Sequence, residues 1–286
     1  MELESQRRRA TDLLALHRPG DPVVLINVWD VVSARLIERS GARAIATTSA
    51  GIAWALGYPD GERIPRDEML RVVERIARAV SVPVTADLEA GYGPRTTDVA
   101  ETVRLAIGAG VVGMNLEDCI EAHDGGADRL LSVDAATERV AAARAAADAA
   151  GIRFVVNART DVFLRDVGDP GSRLGHAVER ANAYRAAGAD SLFVPGVRDA
   201  ETIGALARAI DGPLNVVVGP GTPPLPELGR LGVARVSLGA GAMRAALGML
   251  ARATTALTES GTFDAFVGGA MSYVDLNALM GTPAAS

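Results

Sequence analysis

Lysine is absent from this 286-residue sequence: all 29 of its basic residues are arginine. That excludes a Schiff-base aldolase and a pyridoxal phosphate enzyme, since both need a lysine amine as covalent partner. A carbanion formed by this chain must be stabilised in another way. Cysteine is nearly as scarce, and the lone Cys119 can form neither an internal disulfide nor a cysteine-rich zinc site. The three histidines, His17, His123 and His176, are scattered. Positive charge is not in excess either: the formal net charge is -6 and the isoelectric point is near 5.2. No block of arginines offers the basic surface that binding a phosphate backbone requires, so nucleic acid is not an expected partner. No apolar run approaches the roughly 18 to 20 residues of a membrane span. The first nine residues, Met1-Glu-Leu-Glu-Ser-Gln-Arg-Arg-Arg9, contain no apolar signal core. The expectation is a cytoplasmic protein with no membrane partner.

What is present describes an ordinary globular chain, 49% hydrophobic and 22% charged, long enough for one large α/β barrel or two smaller domains. Short apolar runs alternate with Ala/Arg/Glu-rich helical patterns. Glycine marks the transitions at Glu38-Arg-Ser-Gly-Ala42, Ile107-Gly-Ala-Gly-Val111, Arg185-Ala-Ala-Gly-Ala189 and Arg230-Leu-Gly-Val233, as C-capped helices feeding strands would. Eight strands are expected: Val23–Asn27, Ala44–Thr48, Val82–Asp87, Val112–Glu117, Phe154–Ala158, Ser191–Val194, Leu214–Val218 and Arg235–Leu238. Eight parallel strands with intervening helices, in roughly 250 residues, fit a (β/α)8 TIM barrel. No linker divides the chain, so residues 1–286 read as one barrel domain with 240–286 as a C-terminal helical extension. A doubly wound open sheet is the alternative architecture. Against it, the first strand runs into Asn27-Val-Trp-Asp30 and not into the glycine fingerprint of a dinucleotide site.

The third strand ends in Asp87-Leu-Glu89-Ala-Gly-Tyr-Gly93. Side chains two apart on a strand point the same way, so Asp87 and Glu89 present oxygens to one space, an arrangement of hard anions suited to Mg²⁺. In a barrel the chemistry sits at the carboxyl ends of the strands. Those ends here are Thr47-Thr-Ser-Ala-Gly51 with Leu56-Gly-Tyr-Pro-Asp60, Asp87 with Glu89, Asn115-Leu-Glu117-Asp118, and Asn157-Ala-Arg159-Thr-Asp161. Singly, each has an ordinary reading: Thr48 and Ser49 as helix caps, Asp60 in a Pro-Asp-Gly turn, Arg159 as a partner of Asp161 on the surface. Together they bring acids, hydroxyls and an arginine to one barrel face.

These motifs, in this order, resemble the isocitrate lyase and phosphoenolpyruvate mutase superfamily from about Val24 to Arg244. The residues that carry the likeness are Thr48-Ser49, Leu56-Gly-Tyr-Pro-Asp60, Asp87-Leu-Glu89-Ala-Gly-Tyr-Gly93, Glu117-Asp118 and Ala158-Arg159-Thr160. The resemblance implies a barrel that binds Mg²⁺ and an α-keto acid or its enolate. Asp87 would touch the metal, and Asp60, Glu89 and Glu117 would hold its waters. Thr48, Ser49, Ala50, Asp87, Arg159 and Asn215 would bind substrate, with Arg159 and Glu117 in catalytic roles. It also implies a homodimer or homotetramer in which C-terminal helices are exchanged between subunits.

The chain departs from that pattern where the general acid would be. The C–C lyases of the family carry a Lys-Lys/Arg-Cys-Gly-His loop after the Glu-Asp strand, whereas this chain reads Cys119-Ile-Glu-Ala-His-Asp-Gly-Gly126. Cys119 is expected to be a small buried thiol. His123, in a segment from Ile120 to Leu131 that reads as a lid, is the candidate acid, with a solvated loop histidine as its ordinary reading. The lysine- and asparagine-bearing gate of the mutases and phosphonopyruvate hydrolases is missing too. Gly196 stands where methylisocitrate-type lyases tend to have a glutamate. Trp54, helix Arg66 to Ala79 and helix Ala135 to Ala150 read as core and scaffold, while helices Ala240–Leu257 and Phe263–Leu279 exceed what the barrel needs. The functional expectation is a Mg²⁺-dependent lyase cleaving a C–C bond of a 2-oxo or 2-hydroxy carboxylate, oxaloacetate-type decarboxylation included. The alternatives are P–C bond chemistry and a non-catalytic α-keto acid binding protein.

Overall fold

The structure, a computed structural model, describes residues 3–120 and 129–281. Helix α1 (Leu3–Ala15) precedes a first strand that is broken at Ile26 into β1 (Val23–Leu25) and β2 (Asn27–Val28). There follow α2 (Val31–Arg39), β3 (Ile45–Thr47), α3 (Ser49–Ala55), α4 (Arg66–Ala79), β4 (Val84–Asp87), α5 (Thr96–Gly108) and β5 (Gly113–Glu117). A short antiparallel pair, β6 (Cys119–Ile120) and β7 (Arg129–Leu130), leads into α6 (Val133–Ala149) and β8 (Val155–Arg159). The second half runs α7 (Arg173–Ala186), β9 (Ser191–Phe193), α8 (Ala200–Ala209), β10 (Leu214–Val217), α9 (Leu225–Arg230) and β11 (Arg235–Ser237). Helices α10 (Gly241–Ser260), α11 (Asp264–Val267) and α12 (Tyr273–Gly281) complete it.

The parallel sheet has the order β1-β11-β10-β9-β8-β5-β4-β3-β2. Because β1 and β2 are successive pieces of one strand, pairing the first with β11 and the second with β3 joins the two ends. The result is a (β/α)8 barrel. All eight expected strands are present, trimmed by one or two residues or shifted by one at their ends, and four of the expected glycine caps, Gly41, Gly110, Gly188 and Gly232, adopt the left-handed φ that favours glycine. Helix α4 shows how the scaffold is specified: Met69, Leu70, Val73, Ile76 and Ala77 recur at helical spacing and are its buried face.

Three expectations need correction. The first strand is split, the β6–β7 pair was not expected, and the tail helix Phe263–Leu279 is two helices parted at Gly268-Gly269, where Gly269 takes φ +79°. α12 is tied to α2 by Arg35, whose Nη1 donates to Leu279 O at 3.0 Å. Among the described residues no helix is long and apolar enough to cross a membrane.

Candidate active site

The sheet register sets the site. Asp87, Asn115 and Asn157 are aligned neighbours on β4, β5 and β8, and Glu117, Arg159 and Phe193 are aligned one layer further along on β5, β8 and β9. Aligned residues of parallel strands share a face, so each layer brings its polar groups together. Asp87 is held from two sides. Its Oδ2 accepts from Ser49 N at 3.1 Å and Ser49 Oγ at 2.9 Å, and its Oδ1 accepts from Asn115 Nδ2 at 3.2 Å. Ser49 can do this because it opens α3, where its N–H has no helical partner. Thr48 is the N-cap and accepts from Gly51 N, so the ordinary capping reading of Thr48 holds.

Glu89 leaves the strand in a tight turn, with left-handed φ at Glu89 (51°) and Tyr92 (59°) as well as at Gly91 and Gly93. Such backbone costs energy in non-glycine residues and persists when its surroundings impose it. Here Glu89 Oε2 accepts from Glu62 N at 2.5 Å, Tyr92 N donates to Glu62 Oε1 at 2.8 Å, and Arg139 of α6 donates to the carbonyls of Ala90, Gly93 and Pro94. Burial, then the neighbouring charges of Asp60 and Asp87, push the Glu89 carboxyl up to about 8. Glu117 is also raised: burial and the charges of Asp161, Asp87 and Glu89 outweigh the pull of Arg159.

Arg159 lies between Glu117 and Asp161. Its Nη1 donates to Glu117 Oε1, while Nε and Nη2 form a bidentate pair with Asp161 at 2.5 and 2.9 Å. The surface pairing expected for Arg159 and Asp161 is instead internal, since the Asp161 side chain is fully buried. Among the described residues three of its five guanidinium N–H donors have a partner. Arg159 also stands over the Phe193 ring, 5.7 Å from its centroid. Asp118 points away, as alternation along the strand requires. It accepts from Asp161 N, Tyr184 OH and Arg180 Nη1 at 2.9, 2.8 and 3.0 Å, a buried brace between β5 and α7.

A cavity of about 620 Å³ opens at the carboxyl ends of the strands, and Thr48, Ser49, Ala50, Asp60, Asp87, Asn115 and Arg159 line it. Glu89 and Glu117 line a smaller neighbouring pocket. Trp54, expected in the core, is 39% exposed and forms part of the cavity wall. Asn215 is fully buried below the cavity and accepts from Ser237 Oγ at 3.4 Å. Cys119 is buried. His123 and most of the expected lid lie outside the described residues. Sequence reasoning placed Asn115 at a strand end on this face without giving it a role, and it missed Arg198 and Arg244 as cavity residues. The role of Asn115 was within reach, because it sits one alternation before Glu117 on the same strand.

Among the described residues no three Asp, Glu, His or Cys side chains converge closely enough to form a metal site by themselves. The acids nevertheless fit an ion that keeps much of its water, as Mg²⁺ does. Asp87, Asp60, Glu89 and Glu117 crowd negative charge into a region where two of them are driven toward the protonated form, and a divalent cation would relieve that repulsion. Asp87 would be the direct ligand, with the other three accepting from its waters.

Fold and site together define a (β/α)8 barrel with an acid-lined, arginine-bearing cavity at the carboxyl ends of its strands. Residues 13–258 match the family model for phosphoenolpyruvate phosphomutase. A solved protein of Burkholderia cenocepacia J2315, provisionally termed a lyase/mutase, is 43% identical and superposes with a TM-score of 0.89, covering 98% of each chain. The chain is also 31% identical over 213 residues to 2-methylisocitrate lyase of Escherichia coli K12, covering 70% of each. It is 32% identical over 214 residues to oxaloacetate decarboxylase of Paraburkholderia xenovorans LB400, covering 73% of this chain and 68% of that one. The chain belongs to the isocitrate lyase and phosphoenolpyruvate mutase superfamily.

Proposed function

We propose that the protein is a Mg²⁺-dependent lyase that binds a 2-oxo or 2-hydroxy carboxylate and cleaves its C–C bond through an enolate, decarboxylation of an oxaloacetate-type substrate included. The observation that carries this reading is the cavity itself, where Asp87, fixed by Ser49 and Asn115, faces the same space as Arg159. Lewis-acid stabilisation of developing enolate charge is the chemistry a bound Mg²⁺ supplies, in a chain that has no lysine to do it. Arg159 offers guanidinium N–H donors to the substrate carboxylate, and Ser49 and Asn115 keep the Asp87 carboxylate in one orientation. Trp54, Leu164 and Phe193 give the cavity an apolar wall that lowers the local dielectric and strengthens these interactions. The lyase reading is supported by relatives named as a 2-methylisocitrate lyase and an oxaloacetate decarboxylase. Chemistry at a P–C bond is the second reading, supported by the family to which residues 13–258 match.

The exposed apolar side chains of the C-terminal helices, among them Phe263, Val267, Tyr273 and Val274 at 61, 65, 82 and 74% exposure, support assembly as a homodimer or homotetramer. The single cysteine fits a reducing, cytoplasmic setting. The deciding experiment measures turnover of oxaloacetate, 2-methylisocitrate and phosphonopyruvate beside calorimetric binding of pyruvate and oxalate, each with and without Mg²⁺. Mg²⁺-dependent product formation from a carbon substrate is expected. Turnover of phosphonopyruvate alone selects the second reading, and binding without any turnover would make this a carrier of α-keto acids.

A further inference from the structure

Arg235 is the largest side chain that the barrel buries completely. It sits on β11, aligned with Val23 of β1 on one side and Asn215 of β10 on the other, so neither neighbouring strand opposes it with an acid. Among the described residues its side chain makes a single hydrogen bond, from Nη2 to Asn115 Oδ1 at 3.3 Å, and Nε and Nη1 have no protein partner. A buried guanidinium without a carboxylate in contact is expensive, and an apolar side chain of similar length would serve the barrel core better.

Its one partner leads to the candidate site. Asn115 Oδ1 accepts from Arg235 and also from Asn157 Nδ2 at 2.7 Å, and Asn115 Nδ2 then donates to Asp87 Oδ1 at 3.2 Å. A flipped amide would set its NH₂ against two donors and its oxygen against a carboxylate, so the Asn115 amide has one workable orientation. Asn115 lines the cavity, while Arg235 does not.

We propose that Arg235 is a positioning residue for the anionic ligand: from beneath the cavity it locks Asn115 with its NH₂ toward Asp87, and it supplies a buried positive charge under the substrate carboxylate and enolate. This rests on the reading of the cavity as a Mg²⁺-assisted 2-oxo acid site. A fixed charge in a low-dielectric interior acts over several ångströms with little solvent screening, so contact with the ligand is not required. The role predicts opposite effects on stability and on binding, which separates it from a structural one.

The test compares wild type, Arg235→Met and Arg235→Gln by calorimetric titration of oxalate at saturating Mg²⁺ and by melting of the ligand-free proteins. Arg235→Met is expected to weaken oxalate binding about tenfold or more with an equal or higher melting temperature. Arg235→Gln, which keeps a donor for Asn115 and loses the charge, is expected to fall between. Unchanged oxalate affinity in Arg235→Met, or weakened binding accompanied by a lowered melting temperature in both variants, overturns the proposal. Should Arg235→Met fail to fold, Arg235→Gln decides alone: native melting with weakened oxalate binding supports the role, and wild-type affinity removes it. A wild-type protein that does not bind oxalate with Mg²⁺ overturns the site reading and this role together, whereas equal binding by wild type and variant overturns this role only.

Discussion

Ser49 gives both of its donors, the backbone N–H at 3.1 Å and the hydroxyl at 2.9 Å, to one oxygen of Asp87. This pairing ties the first turn of α3 to the end of β4 and fixes the carboxylate plane from above, while Asn115 holds the other oxygen. Asp87→Ala is therefore expected to abolish Mg²⁺-dependent oxalate binding with native circular dichroism. Ser49→Ala keeps the N–H and loses the hydroxyl, so it should weaken binding by about 1 to 2 kcal/mol, roughly five- to thirtyfold. Calorimetry on both variants checks the order, and undiminished oxalate affinity in Asp87→Ala would mean that the metal ligand lies elsewhere.

The Glu89 carboxyl gives the metal-free protein a pH signature. In the unfolded chain it titrates near the ordinary ~4.3, and in the folded protein burial and the charges of Asp60 and Asp87 raise it to about 8. Between those values the folded state holds a proton that the unfolded state has released. Stability contributed by this group is thus present below about pH 4 and falls as pH rises toward 8, by an amount on the order of a few kcal/mol. Mg²⁺ competes with that proton, so its affinity should rise over the same interval. Denaturant melts from pH 5 to 8 with and without Mg²⁺ test this, and a flat metal-free profile would remove Glu89 from the charge cluster.

How much of this was legible in the sequence depends on the range of each signal. The barrel was, because strand runs, glycine caps and helical periodicity are local, and the strand runs recur eight times. Asp87, Glu117 and Arg159 were legible as strand-end residues, since alternation and barrel topology place such ends on one face, whereas Glu89 lies past the end of β4 in a left-handed turn that alternation does not reach. The pairing of Arg159 with Asp161 was legible as two opposite charges close in sequence, but its pairing with Glu117 was not, because that depends on the register between β5 and β8. Trp54 shows the opposite failure: a large apolar residue in a helical stretch reads as core, and only the placement of α3 at the cavity rim exposes it. Arg235 and Asn115 join across 120 residues of sequence, a relationship that no local pattern carries.

Arg159 and Cys119 should separate by mutation. Arg159→Ala removes the counter-charge of Glu117, leaves Asp161 with the more distant Arg165 at 3.9 Å and leaves a ligand carboxylate unpaired, a loss of roughly 2 to 5 kcal/mol in binding or activity. Cys119→Ser changes a small buried thiol and should retain activity. Kinetics and Mg²⁺ binding on each variant decide between them. A natively folded Cys119→Ser protein that binds Mg²⁺ but is inactive would make the thiol a catalytic group.

Removing the residues after Gly261 tests assembly. Gly261 ends α10 in a left-handed cap, so the cut falls at a natural helix stop, and it removes the exposed Phe263, Tyr273 and Val274 with the α12–α2 tie. The truncated protein is expected to sediment as a smaller species or to aggregate. An unchanged sedimentation mass would assign the tail to packing on its own barrel.

Gly196 limits which substrates the cavity can be given by simple exchange. It takes φ +92° on the cavity wall, and a Cβ there would lie 2.7 Å from Leu164 N and 2.9 Å from Leu164 Cα. Those are backbone atoms that no side-chain rotation moves aside, and the left-handed φ adds its own cost for any other residue. Gly196→Ala is therefore expected to destabilise the protein by roughly 2 to 4 kcal/mol. Gly196→Glu, which would introduce the residue that methylisocitrate-type lyases tend to carry here, should destabilise it at least as much without creating activity on a tricarboxylate. Denaturant melts and an assay with 2-methylisocitrate measure both effects. If Gly196→Glu melts like wild type, the turn at Phe163-Leu164 can yield, and the choice of substrate then rests on side chains and not on this stretch of backbone.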